Sequence, residues 1–574
     1  MRHVFSGHGA SKGNALGRAR VRLPHALEVG EERIKPADVD AEIERLHEAI
    51  ATVQDEMSAM RERLHGALAQ EVGEFLDMHA LLLDDPELLQ GLDVLIRKGL
   101  YSADYALRLQ RDRLAGVFET MDDAYLRSRI DDIDHVIGRL HAALHKREAD
   151  LQGVAGEILV TDAVAPSELA QLQTQGVMAI VTAGGSALSH SAILARSLHL
   201  PLVVGAPQVL QAVNDGDVLL VDGASGQLIV EPGAADLRAY RGRLREEKRE
   251  RKQLHRLRRE PSRTRDGVDI RIYANAESRD DVAEAHSLGA AGVGLYRTEF
   301  LFLQRSELPD EDEQFRAYRD VVLGMTGRTV TLRTLDVGAD KADRSGLALK
   351  GEDNPALGLR GVRLSLSRSD VFETQLRAML RASGYGPVRI LVPMVTTREE
   401  IRTVAKLMKR IAADLVAEGH EIAERVPLGA MIEVPAAAIA LNGILGAVDF
   451  ISVGTNDLVQ YLLATDRGND ALGDLHSPLH PAVLRLLYDV IRTAKRRGKP
   501  AAVCGEMAGD PLFVPLLLAL GLEEFSLHPG TLLEVRRAIR AQTLSDLRGR
   551  TAALLRARDR AAIEQWLLAA QPVS

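Results

Sequence analysis

Apolar and polar positions fall into three regimes along this chain. From Val39, apolar residues return at Ile43, Leu46, Ile50 and Val53, the spacing of one buried helical stripe. Similar periodicity continues around 75–83, from Pro86 to 98, over 102–118 and over 123–145, with few strand signals between. This predicts an inserted helical block over 36–149. From Gly156 the period changes. Short, β-branched runs at 157–161, 177–181, 201–204, 218–221 and 227–230 predict buried strands separated by glycine turns. The segment 4–22 is strand-like but too short to fold alone, so it is expected to pair with a later strand, making 1–35 and 150–233 one α/β unit. Residues 234–260 are highly charged, with sparse apolar positions. They predict a long exposed helix ended by Pro261, and hence a linker over 234–262.

Beyond Arg265, strand and helix alternate. Strands are predicted at 268–274, 292–296, 329–334, 359–364, 388–392, 428–432, 450–453 and 501–504. Eight strands in βα alternation predict a closed parallel (β/α)8 barrel over 263–574. The expected fold class is therefore multidomain α/β: an α/β domain with a helical insert, a linker helix and a C-terminal TIM-type barrel.

Composition changes this picture little. At 574 residues the chain is too long for one core. A net charge of −9 gives no reason to expect nucleic acid, and the acids interleaved at Glu246, Glu247 and Glu250 make the basic stretch of the linker a solvated helix. One cysteine, Cys504, rules out an internal disulfide framework and suits a reducing cytoplasm. The first residues lack the apolar core of an export signal, and no run is long enough to span a membrane. A cytoplasmic location without membrane insertion is expected.

Two places carry candidate chemistry. After the strand at 177–181 come Gly184, Gly185, Ser189 and His190, then a helix-forming run. A histidine at a helix start sits near unpaired backbone N–H groups that favour a negatively charged group, and an imidazole nitrogen can carry a phosphoryl group. Taken alone, such a histidine is ordinary polar surface. The second place is the face of the barrel just past the strands, where Arg297, Arg333, Arg360, Glu433, Asn456, Asp457 and Cys504 fall, with Arg467 a little further on. Each has a bland explanation as a helix cap or ion pair. Together they suit a small, strongly anionic substrate and a divalent cation, since arginine forks grip phosphate and carboxylate while Mg2+ takes one or two carboxylates.

The run from Gly184 to Gly205, with GVGLYRTEFLF, TLRTLDVGADK, NPALGLRGVR, AMIEVPAAA, DFISVGTNDLVQYLLATDRGND and VCGEMAGD, resembles the enzyme I family of the bacterial phosphotransferase system. The similarity covers nearly the whole chain, in the family's motif order. It implies that His190 is the phospho-acceptor and that Glu433 and Asp457 hold Mg2+. It implies that Arg297, Arg333 and Arg467 grip the phosphate of phosphoenolpyruvate, with Asn456 beside them and Arg360 as a further arginine of the site. Cys504 matches the acid that protonates the enolpyruvate carbon. The helical block corresponds to the docking subdomain for the histidine phosphocarrier HPr, with HALLLDDPELL, from His79 to Leu89, as the docking surface. The family implies a homodimer joined through the barrels and a role in sugar uptake, which the absence of a domain before Met1 also favours. One departure stands out: three residues, Ser186, Ala187 and Leu188, separate the glycine pair from Ser189-His190, where the family usually has two. The alternatives are a dikinase or synthase that also uses phosphoenolpyruvate, for which no glycine-rich nucleotide loop is present, and a non-catalytic relative, which would lack site residues.

Overall fold

The barrel follows from short strands that are apolar on one face and mixed on the other. In the computed structural model, β9 (Arg271–Ala276), β10 (Gly292–Tyr296), β11 (Thr329–Arg333), β12 (Val388–Val392), β13 (Leu428–Ile432), β14 (Phe450–Val453), β15 (Ala501–Val503) and β16 (Glu524–Leu527) pair in parallel and close through β16 and β9. The structure describes residues 2–22, 30–63, 79–119, 124–145, 154–164, 166–185, 189–303, 307–338, 347, 352–466, 472 and 475–571. The chain divides into two compact units, Met1–Lys248 and Arg249–Ser574.

In the second unit, alternate residues of each strand face outward into a large apolar cluster with the helices, including Val330, Ile390, Ala430 and Phe525. The other set faces inward: Leu295, Leu391, Met431, Phe450 and Cys504 form a separate interior cluster. This two-residue period decides which side chains reach the mouth, since stepping on from Met431 gives Glu433. Full burial of one such apolar side chain contributes roughly 1.5–3 kcal/mol.

One predicted barrel strand is absent, and one strand of the barrel was not predicted. Residues 359–364 are not a strand: Gly361 takes φ +57° and the helix Val362–Ser367 starts immediately after it. They belong to the connection between β11 and β12, so Arg360 is a loop residue. The missing strand is β16, whose inward positions are the polar Glu524 and Ser526, so no apolar run marks it. The strand count of eight was right through two compensating errors. Phe450–Val453 is therefore the sixth barrel strand and Ala501–Val503 the seventh.

In the first unit, the N-terminal segment forms three strands: β1 (His3–Ser6), β2 (His8–Ser11) and β3 (Asn14–Arg22). With β4 (Glu157–Thr161), β5 (Ala179–Thr182), β6 (Leu202–Val204), β7 (Val218–Asp222) and β8 (Gln227–Val230) they make one sheet of order β1-β8-β7-β3-β4-β5-β6-β2. Consecutive strands β1 and β2 lie on opposite edges with only Gly7 between them, so the sheet must curl until its edges meet. Between β3 and β4 come the helices Val39–Arg63, Pro86–Arg97, Ala103–Glu119 and Ala124–Leu144. Their stripes (Val53, Leu92, Ile96, Leu107, Ile137) merge with Leu159, Ile180 and Leu202 of the sheet into one apolar cluster. The helix Ala234–Arg256 follows β8, with Tyr240 packed on Leu220 and Ile229. Among the described residues no helix is long and apolar enough to cross a membrane.

Candidate active site

The ends of the barrel strands bring most of the expected residues together. Arg333 closes β11, while Arg297, Glu433 and Cys504 each come directly after a strand. Beside Arg297 the pairing register of β10 shifts between Val293 and Leu295, a bulge that re-aims the following residues. Asn456 and Asp457 lie in the first turn of the helix Thr455–Leu463 after β14. Arg467 lies outside the described residues.

A continuous charged network runs across this face. Arg333 Nη2 donates to Glu299 Oε1 at 2.6 Å, and its Nη1 lies 2.9 Å from Asp336 Oδ2. The other oxygen of Asp336 accepts from Arg360 Nη2 at 3.2 Å. Arg360 Nη1 then reaches Asp457 Oδ1 at 3.4 Å and the Tyr461 hydroxyl at 3.2 Å. Glu299 also accepts from the Asp336 backbone N–H at 3.1 Å, which locks the loop after β11 onto the pair. Arg297 pairs separately with Glu277. Burial of Arg333 and Arg360 works against their charge, yet the surrounding carboxylates outweigh it and hold both firmly protonated. Among the described residues the buried Nε of Arg333 has no partner, so one guanidinium N–H is left for an acceptor.

Glu433 is a strongly perturbed group of the site. It is 1% exposed, and Oε1 accepts from the Met394 N–H at 2.6 Å. A side chain at Gly454 would put its Cβ 2.6 Å from Glu433 Oε2, so only glycine leaves that oxygen its place. Desolvation first, then the negative charges of Asp336 and Asp457, push its carboxyl far above the usual range. Glu299, Asp336, Glu433 and Asp457 thus outnumber the two arginines of the network. An excess of buried oxygen donors is relieved by a hard divalent cation, so the donor set at Glu433 and Asp457 fits Mg2+ chemically.

Cys504 borders the same region. Its Sγ donates to the Val453 carbonyl at 3.4 Å, and its own carbonyl accepts from Asn275 Nδ2 at 3.1 Å. Burial pushes the thiol up to about 11, so at neutral pH it is a protonated acid rather than a thiolate nucleophile. Asn456 is held from both ends by one residue: its Nδ2 donates to Glu506 Oε1 at 2.9 Å, and its Oδ1 accepts from the Glu506 N–H at 3.0 Å.

His190 belongs to the first unit. Strand β5 ends at Thr182, whose hydroxyl donates to the Gly184 carbonyl at 2.7 Å, and Gly205 N donates to the same oxygen at 3.1 Å. The helix His190–Ser197 begins at His190, capped by Ser189, whose hydroxyl accepts from Ala192 N at 3.2 Å. Ser191 ties this turn to the Val164 carbonyl at 2.7 Å. What is described of His190 is its backbone. The longer loop of Ser186 to Leu188 lies outside the described residues.

Sequence reasoning did not single out Glu299, Asp336, Glu277 or Glu506. Glu299 and Asp336 stand two and three residues after Arg297 and Arg333, inside the motifs that carry the resemblance. An acid so close to an arginine at a strand end was a usable signal. Its partner, however, is not the nearest arginine: Glu299 pairs with Arg333, from the next strand.

Barrel, network and sequence together define a phosphoenolpyruvate-utilising enzyme. Residues 251–544 match the family described as "PEP-utilising enzyme, PEP-binding domain", 153–226 its "mobile domain" and 6–129 its "N-terminal" part. The phosphoenolpyruvate-protein phosphotransferase of Cupriavidus necator is 44% identical over 550 residues, covering 93% of this chain and 94% of that one. The proteins of the same name from Geobacillus stearothermophilus and Staphylococcus epidermidis are 40% and 38% identical, over 94% and 95% of this chain and 93% and 96% of theirs. The chain belongs to the phosphoenolpyruvate-protein phosphotransferase family.

Proposed function

We propose that this enzyme moves the phosphoryl group of phosphoenolpyruvate first to its own His190 and then to the histidine of an HPr-type carrier, releasing pyruvate. The observation that carries the reading is the mouth of the barrel: arginines poised for an anion stand beside a buried excess of carboxylates poised for a cation. Arg297, Arg333 and Arg467 bind the phosphate, with Asn456 beside them, while Arg360 keeps Asp457 in place. Glu433 and Asp457 hold Mg2+, which when bound offsets the charge of the phosphoenolpyruvate oxygens.

In the first half-reaction the lone pair of an unprotonated His190 ring nitrogen attacks phosphorus, and the bond from phosphorus to the enol oxygen breaks. The electron pair stays on the enolate, which takes a proton at its terminal carbon from the Cys504 thiol to give pyruvate. A thiol held protonated by burial can make that donation and recover the proton from solvent. In the second half-reaction the carrier histidine attacks phosphorus and the P–N bond to His190 breaks.

His190 and the barrel site belong to different compact units, so loading and unloading require a reorientation about the helix Ala234–Arg256. The segment His79–Leu89 is the proposed carrier surface, with Leu81 72% exposed and Asp84, Asp85 and Glu87 beside it. A homodimer through the barrel, a cytoplasmic location and entry into sugar uptake complete the reading. Incubation with labelled phosphoenolpyruvate and Mg2+ tests it: an acid-labile label should appear on the protein and pass to HPr. No label, or a label that survives His190→Ala, would sink the assignment.

A further inference from the structure

A second cluster of ligating side chains lies in the helical part of the first unit, unused by the reaction above. His141 sits in the last turn of the helix Ala124–Leu144 and His145 just past its end. Four positions apart, they share a helix face. Asp104 stands in the first turn of the helix Ala103–Glu119. Nε2 of His141 and Nε2 of His145 lie 3.5 and 2.9 Å from the same oxygen, Asp104 Oδ1. The three donor atoms all fall within 4.8 Å of one another. Zinc bonds of the usual length place tetrahedral donors roughly 3.3 Å apart, a value these two distances bracket. At 3.5 Å, the His141 contact is long for a hydrogen bond to that oxygen.

The surroundings are prepared as well. The second oxygen of Asp104 accepts from Arg45 Nη2 at 2.9 Å, which fixes the carboxylate and leaves Oδ1 turned to the histidines. Arg45 is also gripped by Glu42, whose Oε1 accepts from the Ala103 N–H at 2.7 Å. Two carboxylates therefore face one guanidinium, so the local charge is negative before any cation arrives. The C-terminal end of the helix adds negative potential at the same spot.

We propose that Asp104, His141 and His145 form a binding site for Zn2+ or another borderline divalent cation, with the fourth position open to water beside the exposed His145. Two imidazoles and one carboxylate favour such a metal over Mg2+, which prefers oxygen donors alone. The ion clamps the last turn of Ala124–Leu144 to the first turn of Ala103–Glu119 and, through Arg45, to Val39–Arg63.

The test titrates the full chain with Zn2+ by calorimetry in excess Mg2+, which saturates the oxygen donors of the barrel, and with Co2+ by visible absorption. One Zn2+ per chain should bind, with affinity reduced about tenfold or more in His141→Ala and in His145→Ala. Wild type should also show the intense absorption of four-coordinate Co2+, and both variants should lose it. His145 is exposed, so His145→Ala keeps the fold, checked by unchanged labelling from phosphoenolpyruvate. Zn2+ binding that is the same in wild type and both variants, or a Co2+ spectrum that the substitutions leave unaltered, overturns the proposal.

Discussion

At the barrel mouth, Glu433 and Arg333 are buried, and strands from opposite sides of a closed sheet hold their neighbours in place. Around His190 the framework is an eight-residue helix, one serine cap and two glycines after a strand. The first region stores electrostatic work: Glu299, Arg333, Asp336 and Glu433 are desolvated before substrate arrives, so little reorganisation is needed as charge moves. On the proposed reaction the second region must instead stay accessible, because a group carried between two partners cannot be enclosed by either. The contrast teaches that the two half-reactions of this family rest on different physics and should be separable by substitution.

The largest separation is expected from Glu433→Gln and Arg333→Met. Either should lower labelling of His190 from phosphoenolpyruvate by about a thousandfold or more, roughly 4 kcal/mol. Transfer from phosphorylated HPr back to His190 should remain near wild type. Chelation of Mg2+ should have the same one-sided effect. Equal loss in both directions would mean that the two regions are not independent.

Next in size is Cys504→Ala, expected to slow pyruvate formation about a hundredfold or more by removing the carbon acid. Burial raises this thiol to about 11, and a thiol serves as an acid only below its pKa. Wild-type pyruvate release should therefore show no fall caused by thiol ionisation between pH 7 and 9. An alkaline limb in that range that disappears in Cys504→Ser would contradict the assignment.

A smaller effect, on the other half-reaction, should follow Leu81→Asp. Loss of an exposed apolar contact at the proposed carrier surface should weaken transfer to HPr about tenfold. Loading from phosphoenolpyruvate should stay unchanged. Smallest is Ser189→Ala, which removes the helix cap at a cost of about 1 kcal/mol. Faster hydrogen exchange at the Ala192 amide should report it, with transfer rates changed only a few-fold.

Much of the fold was legible because periodicity and turn residues act locally. The stripe from Val39 to Val53 and the glycine-bounded runs at β4 to β8 fell close to where they were read. The errors share one cause: a residue's neighbours in space overrode its neighbours in sequence. Residues 359–364 look strand-like, yet Gly361 turns the chain back against Met394 and Asp336. Strand β16 hides because its inward positions are polar in a barrel that tolerates polarity there. The N-terminal segment reads as one strand but is spread over both edges and the middle of a sheet.

By itself the sequence determined the class of most elements, seven of the eight barrel strands and most of the residues gathered at one face of the barrel. These follow from local spacing, which side chains carry with them into any environment. Tertiary structure alone decided the pairing: that Glu299 serves Arg333, that Arg360 links Asp336 to Asp457, and that Glu433 is desolvated among like charges. Burial and distance, not residue type, set how strongly a charge is felt. The same holds for Asp104, His141 and His145, which lie on two helices and become a ligand set only where those helices pack.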